Sequence, residues 1–189
     1  MIISVSGAPG SGKSTFACRL ADALGWPRYY IGGIRREQAA KKGLSLAEYN
    51  KLGETDPATD REVDDYQREL GLKEDNFVIE GRTSWFFIPH SLKIYLDVSE
   101  EEGARRIFSD LQHNSNRNEE EGLNSVEAVK ESTKRRLESD NLRYKQYYGI
   151  DAYNPSNYDY YFDTTNISRD EAFEKVYEFI KSRLDKPSV

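Results

Sequence analysis

The chain has 189 residues, of which 37% are hydrophobic, which suits one compact domain with small insertions. Its formal net charge of −6 argues against nucleic acid and anionic membranes as partners, so a phosphorylated ligand would need a local cluster of Arg and Lys. The single cysteine, Cys18, excludes a disulfide framework, fits a reducing cytoplasm, and is expected as a small buried residue. Residues 2–6 form a short apolar run that stops at Gly7, the pattern of a strand buried on both faces rather than of a leader peptide. Residues 13–24 follow with Phe16, Ala17, Leu20, Ala23 and Leu24 at helical spacing, ended by Gly25. Residues 29–31 are a second short strand. Helical text then fills residues 35–42, a stretch opened by the capping-box pair Ser45 and Glu48, and a third opened by Asp56 as N-cap with Pro57 at the first helical position. Val63, Tyr66 and Leu70 mark the apolar face of that third helix. Residues 77–80 and 92–98 are two further strands.

Ser99 and Glu102 cap the next helix, whose stripe is Ala104, Ile107, Phe108 and Leu111. Residues 112–122 are polar and rich in Asn and Glu, and are expected to be an exposed mobile loop. A helix is expected over 124–148, a last strand over 158–162, and a final helix capped by Ser168 and Glu171 with Phe173, Val176, Phe179, Ile180 and Leu184 inside. No run approaches the ~18 apolar residues of a membrane span. Strands alternating with helices predict an α/β fold, a parallel sheet covered on both faces as a three-layer structure. Ligands of such sheets bind at the carboxyl ends of the strands. That rim holds residues 7–14, Glu80 to Thr83, and Asp97.

Gly7-Ala8-Pro9-Gly10-Ser11-Gly12-Lys13-Ser14 fits G-x-x-x-x-G-K-[ST] at every fixed position, and it lies between a strand and a helix. The glycines let the backbone fold around an anion, and successive N–H groups with the helix N-terminus supply partial positive charge. Residues 7–14 with Thr15 are therefore expected to cradle the phosphates of ATP. Lys13 would reach the β- and γ-phosphates and the Ser14 hydroxyl would ligate Mg²⁺. No Asn-Lys-x-Asp motif for reading guanine is present: Asn50-Lys51 runs on into Leu52 and Gly53. Arg36 follows the second strand, Arg82 follows the third, and Arg136 and Arg143 share a helix face. Guanidinium groups suit a transferring phosphoryl group and a phosphate acceptor. Arg19, Arg28 and Arg183 are expected as solvated surface groups. His90 and His113, the only histidines, are expected to be structural or solvated.

The order and spacing of these segments resemble the nucleoside monophosphate kinases, most closely the short, archaeal-type cytidylate kinases. The resemblance covers nearly the whole chain. It runs through the phosphate loop, Gly32-Gly33-Ile34-Arg35-Arg36, Asp56-Pro57 with Asp60 and Asp64, Glu80-Gly81-Arg82, the segment from Arg136 to Tyr144, Tyr148-Gly149-Ile150-Asp151, and the closing Tyr158-Asp159 and Asp163-Thr164. It implies one P-loop domain over 1–189, with a five-stranded parallel sheet. It also implies a helical insertion for the nucleoside monophosphate at about 32–75 and a lid at about 106–145. Arg36 and Arg82 would hold the CMP phosphate, Arg136 and Arg143 would neutralise charge during transfer, and Asp140 would lie near the CMP ribose and phosphate. Three positions depart from the family pattern: Gly33 in place of an acid, Arg35 in place of an aromatic residue, and Leu137 in place of Glu.

Asp60, Asp64 and Gln67 fall at i, i+4 and i+7 on one helix face, where carboxylates could accept from the cytosine amine and an amide could serve either edge. The expected partners are ATP and CMP or dCMP, taken by a cytoplasmic monomer with no role for nucleic acid or membrane. Two alternatives stay open on the sequence. One is a P-loop kinase with another monophosphate or a hydroxyl acceptor, using Glu80 or Asp60 as base. The other is an ATP-binding module that performs no transfer.

Overall fold

The computed structural model describes residues 1–113 and 122–185. Five strands, β1 (Ile2–Gly7), β2 (Arg28–Tyr30), β3 (Phe77–Glu80), β4 (Leu92–Asp97) and β5 (Tyr160–Asp163), form one sheet in the order β2-β3-β1-β4-β5. Every pairing is parallel. The expected strands are thus all present, shifted by up to two residues at their ends. The helices are α1 (Lys13–Leu24), α2 (Ile31–Lys41), α3 (Leu46–Gly53), α4 (Ala58–Lys73), α5 (Ser84–Phe87), α6 (Glu100–His113), α7 (Val126–Tyr148) and α8 (Arg169–Leu184). Among the described residues, no helix is long and apolar enough to cross a membrane.

Alternation along the strands sends side chains to two cores. Ile3, Val5, Val78, Ile94 and Leu96 pack with Phe16, Ala17 and Leu20 of α1 and Val176 and Ile180 of α8. On the opposite face, Ile2, Phe77 and Ile79 pack with Ile31, Val63, Leu70 and Ile88. A third, smaller cluster of Ala104, Ile107 and Val129 joins α6 to α7. The serines of β1 are buried but satisfied: Ser6 donates to the Gly81 carbonyl at 2.6 Å, and Ser91 donates to Ser4 at 2.9 Å.

The caps follow the sequence rules. Ser45 and Glu48 close a full capping box. The Asp56 carboxylate accepts from the Ala58 N–H at 3.0 Å, with Pro57 already in helical geometry. Ser99, Ser125 and Ser168 each accept from a backbone N–H of the helix they open. Three expectations are corrected and one element is new. Cys18 is exposed, because α1 buries Phe16, Ala17, Leu20 and Ala21 and so turns Cys18 and Ala23 to solvent. Tyr66 is exposed too, its ring meeting Tyr29 edge-on at the surface. The short helix α5 had no periodic signal to announce it. Gln112 and His113 close α6 rather than opening a loop; residues 114–121, the body of the expected mobile segment, lie outside the described residues.

Candidate active site

At the carboxyl end of β1 the chain turns through Gly10 and Gly12, whose φ angles of 81° and 82° are the left-handed values that favour glycine. α1 then starts at Lys13 without a side-chain cap, leaving its first N–H groups available to an anion. The loop also needs a glycine from another helix. A Cβ on Gly103 of α6 would meet the Pro9 carbonyl oxygen at 2.7 Å, and a Cβ on Gly10 would collide with the Gly103 backbone.

Ser14 donates to Glu80 at the end of β3, and the other Glu80 oxygen pairs with Arg28 at 2.7 Å. Arg28 was expected as a surface group. It is instead a supporting residue of the site, because β2 lies next to β3 and its first side chain reaches the buried Glu80. The Ser14 hydroxyl and the Glu80 carboxylate form an all-oxygen pair, the donor type Mg²⁺ takes. Among the described residues, no group of three or more His, Cys, Asp or Glu gathers to hold a metal. Mg²⁺ bound to substrate phosphates needs only one or two protein oxygens.

A cavity of about 270 Å³ opens beside the phosphate loop, between α2, α4, the turn after β3 and α7. Lys13, Ser14, Arg36, Asp60, Asp64, Gln67, Arg82 and Arg136 all line it, so the structure brings together most of the residues singled out from sequence. Arg35, one of the three departures from the family pattern, lines it as well. Burial, and next the Arg82 guanidinium, bring Lys13 down to about 7, with Arg136 and Arg36 adding to the effect. Arg35 Nη2 and Arg82 Nε are buried without a hydrogen-bond partner. Arg36 donates to Tyr30 Oη at 2.5 Å and to the Gly32 carbonyl at 3.3 Å. Gly33 has a steric reason: a Cβ there would meet the Tyr30 ring at 2.7 Å.

Arg143 and Asp140 do not line this cavity; they sit behind it. Arg143 has 0% exposure and donates to both Asp60 oxygens, at 2.6 and 2.8 Å, and to Asp140. Asp60 also takes Arg35, while Asp140 takes Arg82 at 2.9 Å and the Tyr153 hydroxyl at 3.0 Å. The result is a buried chain of alternating charge, Arg35–Asp60–Arg143–Asp140–Arg82, that ties α2, α4, α7 and the turn after β3 together. Burial alone would raise Asp140, but Arg82 and Arg143 outweigh it and hold the carboxyl below its usual range. Asp64 is different. Burial pushes it up to about 6, against the hydrogen bond it accepts from Tyr148. On the rim, Asp97 is turned to the Tyr161 hydroxyl and away from the cavity.

A second cavity, about 110 Å³, lies on the other side of the phosphate loop, lined by Thr15, Arg106, Thr164, Ser168 and Arg169 among others. Arg106 donates there to the Thr164 hydroxyl at 3.1 Å and to the Thr164 and Thr165 carbonyls at 2.8 and 3.3 Å. A larger cleft of about 400 Å³ runs between α3 and α7 and contains no phosphate-loop residue.

A phosphate loop at the rim of a five-stranded parallel sheet, flanked by two cavities that are both lined with cations, defines a P-loop phosphotransferase. The chain belongs to the cytidylate kinase-like family, whose model matches residues 2–166. It is 34% identical to the cytidylate kinase of Methanopyrus kandleri over 98% of this chain and 96% of that one. It is 36% identical to the cytidylate kinase of Pyrococcus abyssi over 98% and 94%. Among solved structures, a shikimate kinase from Acinetobacter baumannii in complex with shikimate superposes with a TM-score of 0.61 at 18% identity, over 98% of this chain and 95% of that one. An uncharacterized protein from Eubacterium ventriosum gives a TM-score of 0.69 at 16% identity, over 96% and 99%. Those two likenesses speak to the fold.

Proposed function

We propose that the chain transfers the terminal phosphoryl group of ATP to CMP or dCMP, giving ADP and CDP or dCDP. The observation that carries this is the crowding of Lys13 by Arg82, Arg136 and Arg36 around one cavity of an acidic protein. Positive charge gathered in this way around one cavity attracts a polyanion. The family membership supports the acceptor.

In this reading the phosphate loop, residues 7–15, holds the donor phosphates and Lys13 reaches the transferring group. Arg106, Thr164 and Ser168 face the donor base. Arg36 and Arg82 hold the acceptor phosphate, and Arg136 neutralises charge as an acceptor oxygen bonds to the γ-phosphorus and the β–γ bridging P–O bond breaks. Arg143 and Asp140 support the cavity from behind, Arg143 through Asp60, which also holds Arg35, and Asp140 through Arg82. Ser14 and Glu80 would hold Mg²⁺, which when bound supplies charge neutralisation at the β- and γ-phosphates. The second pKa of a phosphate monoester is near ~6, so the attacking oxygen is already deprotonated at neutral pH and needs no general base. The carboxylates fit this: Glu80 is occupied by Ser14 and Arg28, and Asp60 by Arg35 and Arg143. A hydroxyl acceptor would need a general base, and neither of these two carboxylates is free to serve as one. The insertion over 32–75 and the lid over 106–145 would close on the nucleotides to exclude water. The reading places the chain in the cytoplasm as a monomer.

The test is a coupled ADP-release assay with ATP, Mg²⁺ and a panel of CMP, dCMP, UMP, AMP and GMP. Turnover confined to CMP and dCMP is expected. Preference for another monophosphate would overturn the base assignment, and no turnover with any would favour a hydroxyl acceptor or a binding module.

A further inference from the structure

Three polar side chains of α4 line the acceptor cavity: Asp60, Asp64 and Gln67. Asp60 faces the cavity but is already bonded to Arg35 and Arg143. Asp64 and Gln67 remain, three residues apart and therefore neighbours on the helix surface. Each is held by a residue outside α4 that itself lies off the cavity lining.

Gln67 is fully buried, and its Oε1 accepts from the Ser84 hydroxyl at 2.7 Å. An amide has two orientations, related by exchange of its oxygen and nitrogen. Ser84 is also fully buried, and its hydroxyl donates to Gln67 Oε1. Turning the amide over would leave that buried O–H without the acceptor, a costly exchange. The orientation is therefore set, and it leaves Gln67 Nε2, buried and without a partner, as a donor for a ligand in the cavity. Asp64 is fixed in a parallel way. Tyr148, in the last turn of α7, donates to Asp64 Oδ2, and its ring is wedged against Phe86 and Phe87 with centroids 5.9 and 5.2 Å away. The second Asp64 oxygen is left as an acceptor beside the Gln67 donor.

We propose that Ser84 and Tyr148 are positioning residues that set base specificity, by fixing Gln67 as a donor and Asp64 as an acceptor toward the base edge. The inference rests on the pyrimidine-phosphate reading above. Cytosine offers the matching pair, an acceptor at N3 and an amino donor at N4. Uracil offers the reverse at both positions, a donor at N3 and an acceptor at O4. A site built to hydrogen-bond one edge rejects the other because its own buried groups are then left unpaired.

The experiment compares kcat/KM for CMP and for UMP in the wild type, S84A, Q67M, the S84A/Q67M double variant and Y148F. With Ser84 removed the amide can turn, so the CMP-to-UMP ratio should fall about ten-fold in S84A. In the Q67M background S84A should change the ratio no further, because its effect passes through Gln67. Y148F keeps the ring contacts and should lower the ratio several-fold, an effect absent when Asp64 is already Asn. Equal losses for CMP and UMP in S84A and Y148F would overturn the proposal, since a structural role predicts that pattern. A further fall of the ratio on adding S84A to Q67M would also overturn it. If S84A fails to fold by circular dichroism, Y148F with and without D64N carries the test on the same terms. A wild type that prefers another monophosphate over CMP refutes the functional reading itself, before any variant is made.

Discussion

Replacing Arg143 by Met should destabilise the protein by about 3 kcal/mol, the low end of the cost of removing one partner from a buried ion pair. Arg143 has 0% exposure and is shared between Asp60 and Asp140. Met matches the aliphatic stem but leaves two buried carboxylates short of a partner. Neither is abandoned: Asp60 keeps Arg35, and Asp140 keeps Arg82 at 2.9 Å and Tyr153 at 3.0 Å. That is why the low end applies. For a domain of this size each kcal/mol moves the melting temperature by roughly 2–4 °C, so a drop of about 6–12 °C is expected. Thermal unfolding followed by circular dichroism at neutral pH measures it, with R143K as the variant that keeps the charge and loses the two-armed contact. A melting temperature within about 2 °C of wild type, accompanied by lost turnover, would refute the reasoning. It would show Arg143 acting on the substrate and not as the clamp between α4 and α7.

Three further outcomes follow from the site. K13M should abolish turnover yet stabilise the substrate-free protein. Lys13 falls to about 7 in the fold from its ordinary 10.5, so the unfolded chain binds the proton more tightly and the native state is penalised at neutral pH. The gain should be largest at or below pH 7 and vanish toward pH 10 in denaturant titrations; a K13M protein less stable than wild type at pH 7 contradicts it. Asp64 moves the other way, up to about 6 from 3.8, so its contribution to stability is present at low pH and lost as pH rises through that window. D64N should therefore be the more stable protein above pH 6 and equal to wild type near pH 4. The same titration, set by burial and by Tyr148, Asp60, Arg68 and Arg35 around the carboxyl, should lower the CMP-to-UMP ratio of the wild type below pH 6, with a flat profile in D64N. G103A should push the phosphate loop off its position, since the new Cβ meets the Pro9 carbonyl oxygen at 2.7 Å. The KM for ATP should rise on the order of ten-fold, as small misplacements of reacting groups do; an unchanged KM would mean the loop relaxes freely.

Rules that act over a few residues carried far in this chain. The alternation of apolar runs with helical spacing determined the five strands and the long helices, and the spacing of Gly7, Gly12, Lys13 and Ser14 determined the phosphate loop. Capping pairs placed the starts of α3, α4 and α8 because an N-cap bond spans only two or three residues. The carboxyl-end rule put residues 7–14 and Glu80 to Thr83 on one rim, where Lys13, Ser14, Glu80 and Arg82 line one cavity; Asp97, placed there too, turns away from it.

What only the tertiary structure decided is how those charges pair. Asp60 and Arg143 are 83 residues apart, and nothing in either local segment marks them as partners. The sequence offered Asp60 to a base and Arg143 to a phosphate; the packing of α4 against α7 gives them to each other. Arg28 looked like surface until β2 fell in beside β3 and laid it on Glu80. Cys18 went to solvent because the rotational setting of α1 on the sheet chose Ala21 for burial and not Ala23. Periodicity fixes which residues share a helix face, but the partner across the gap depends on where whole elements dock. That docking is a long-range balance of burial and charge, which no short window of the chain contains.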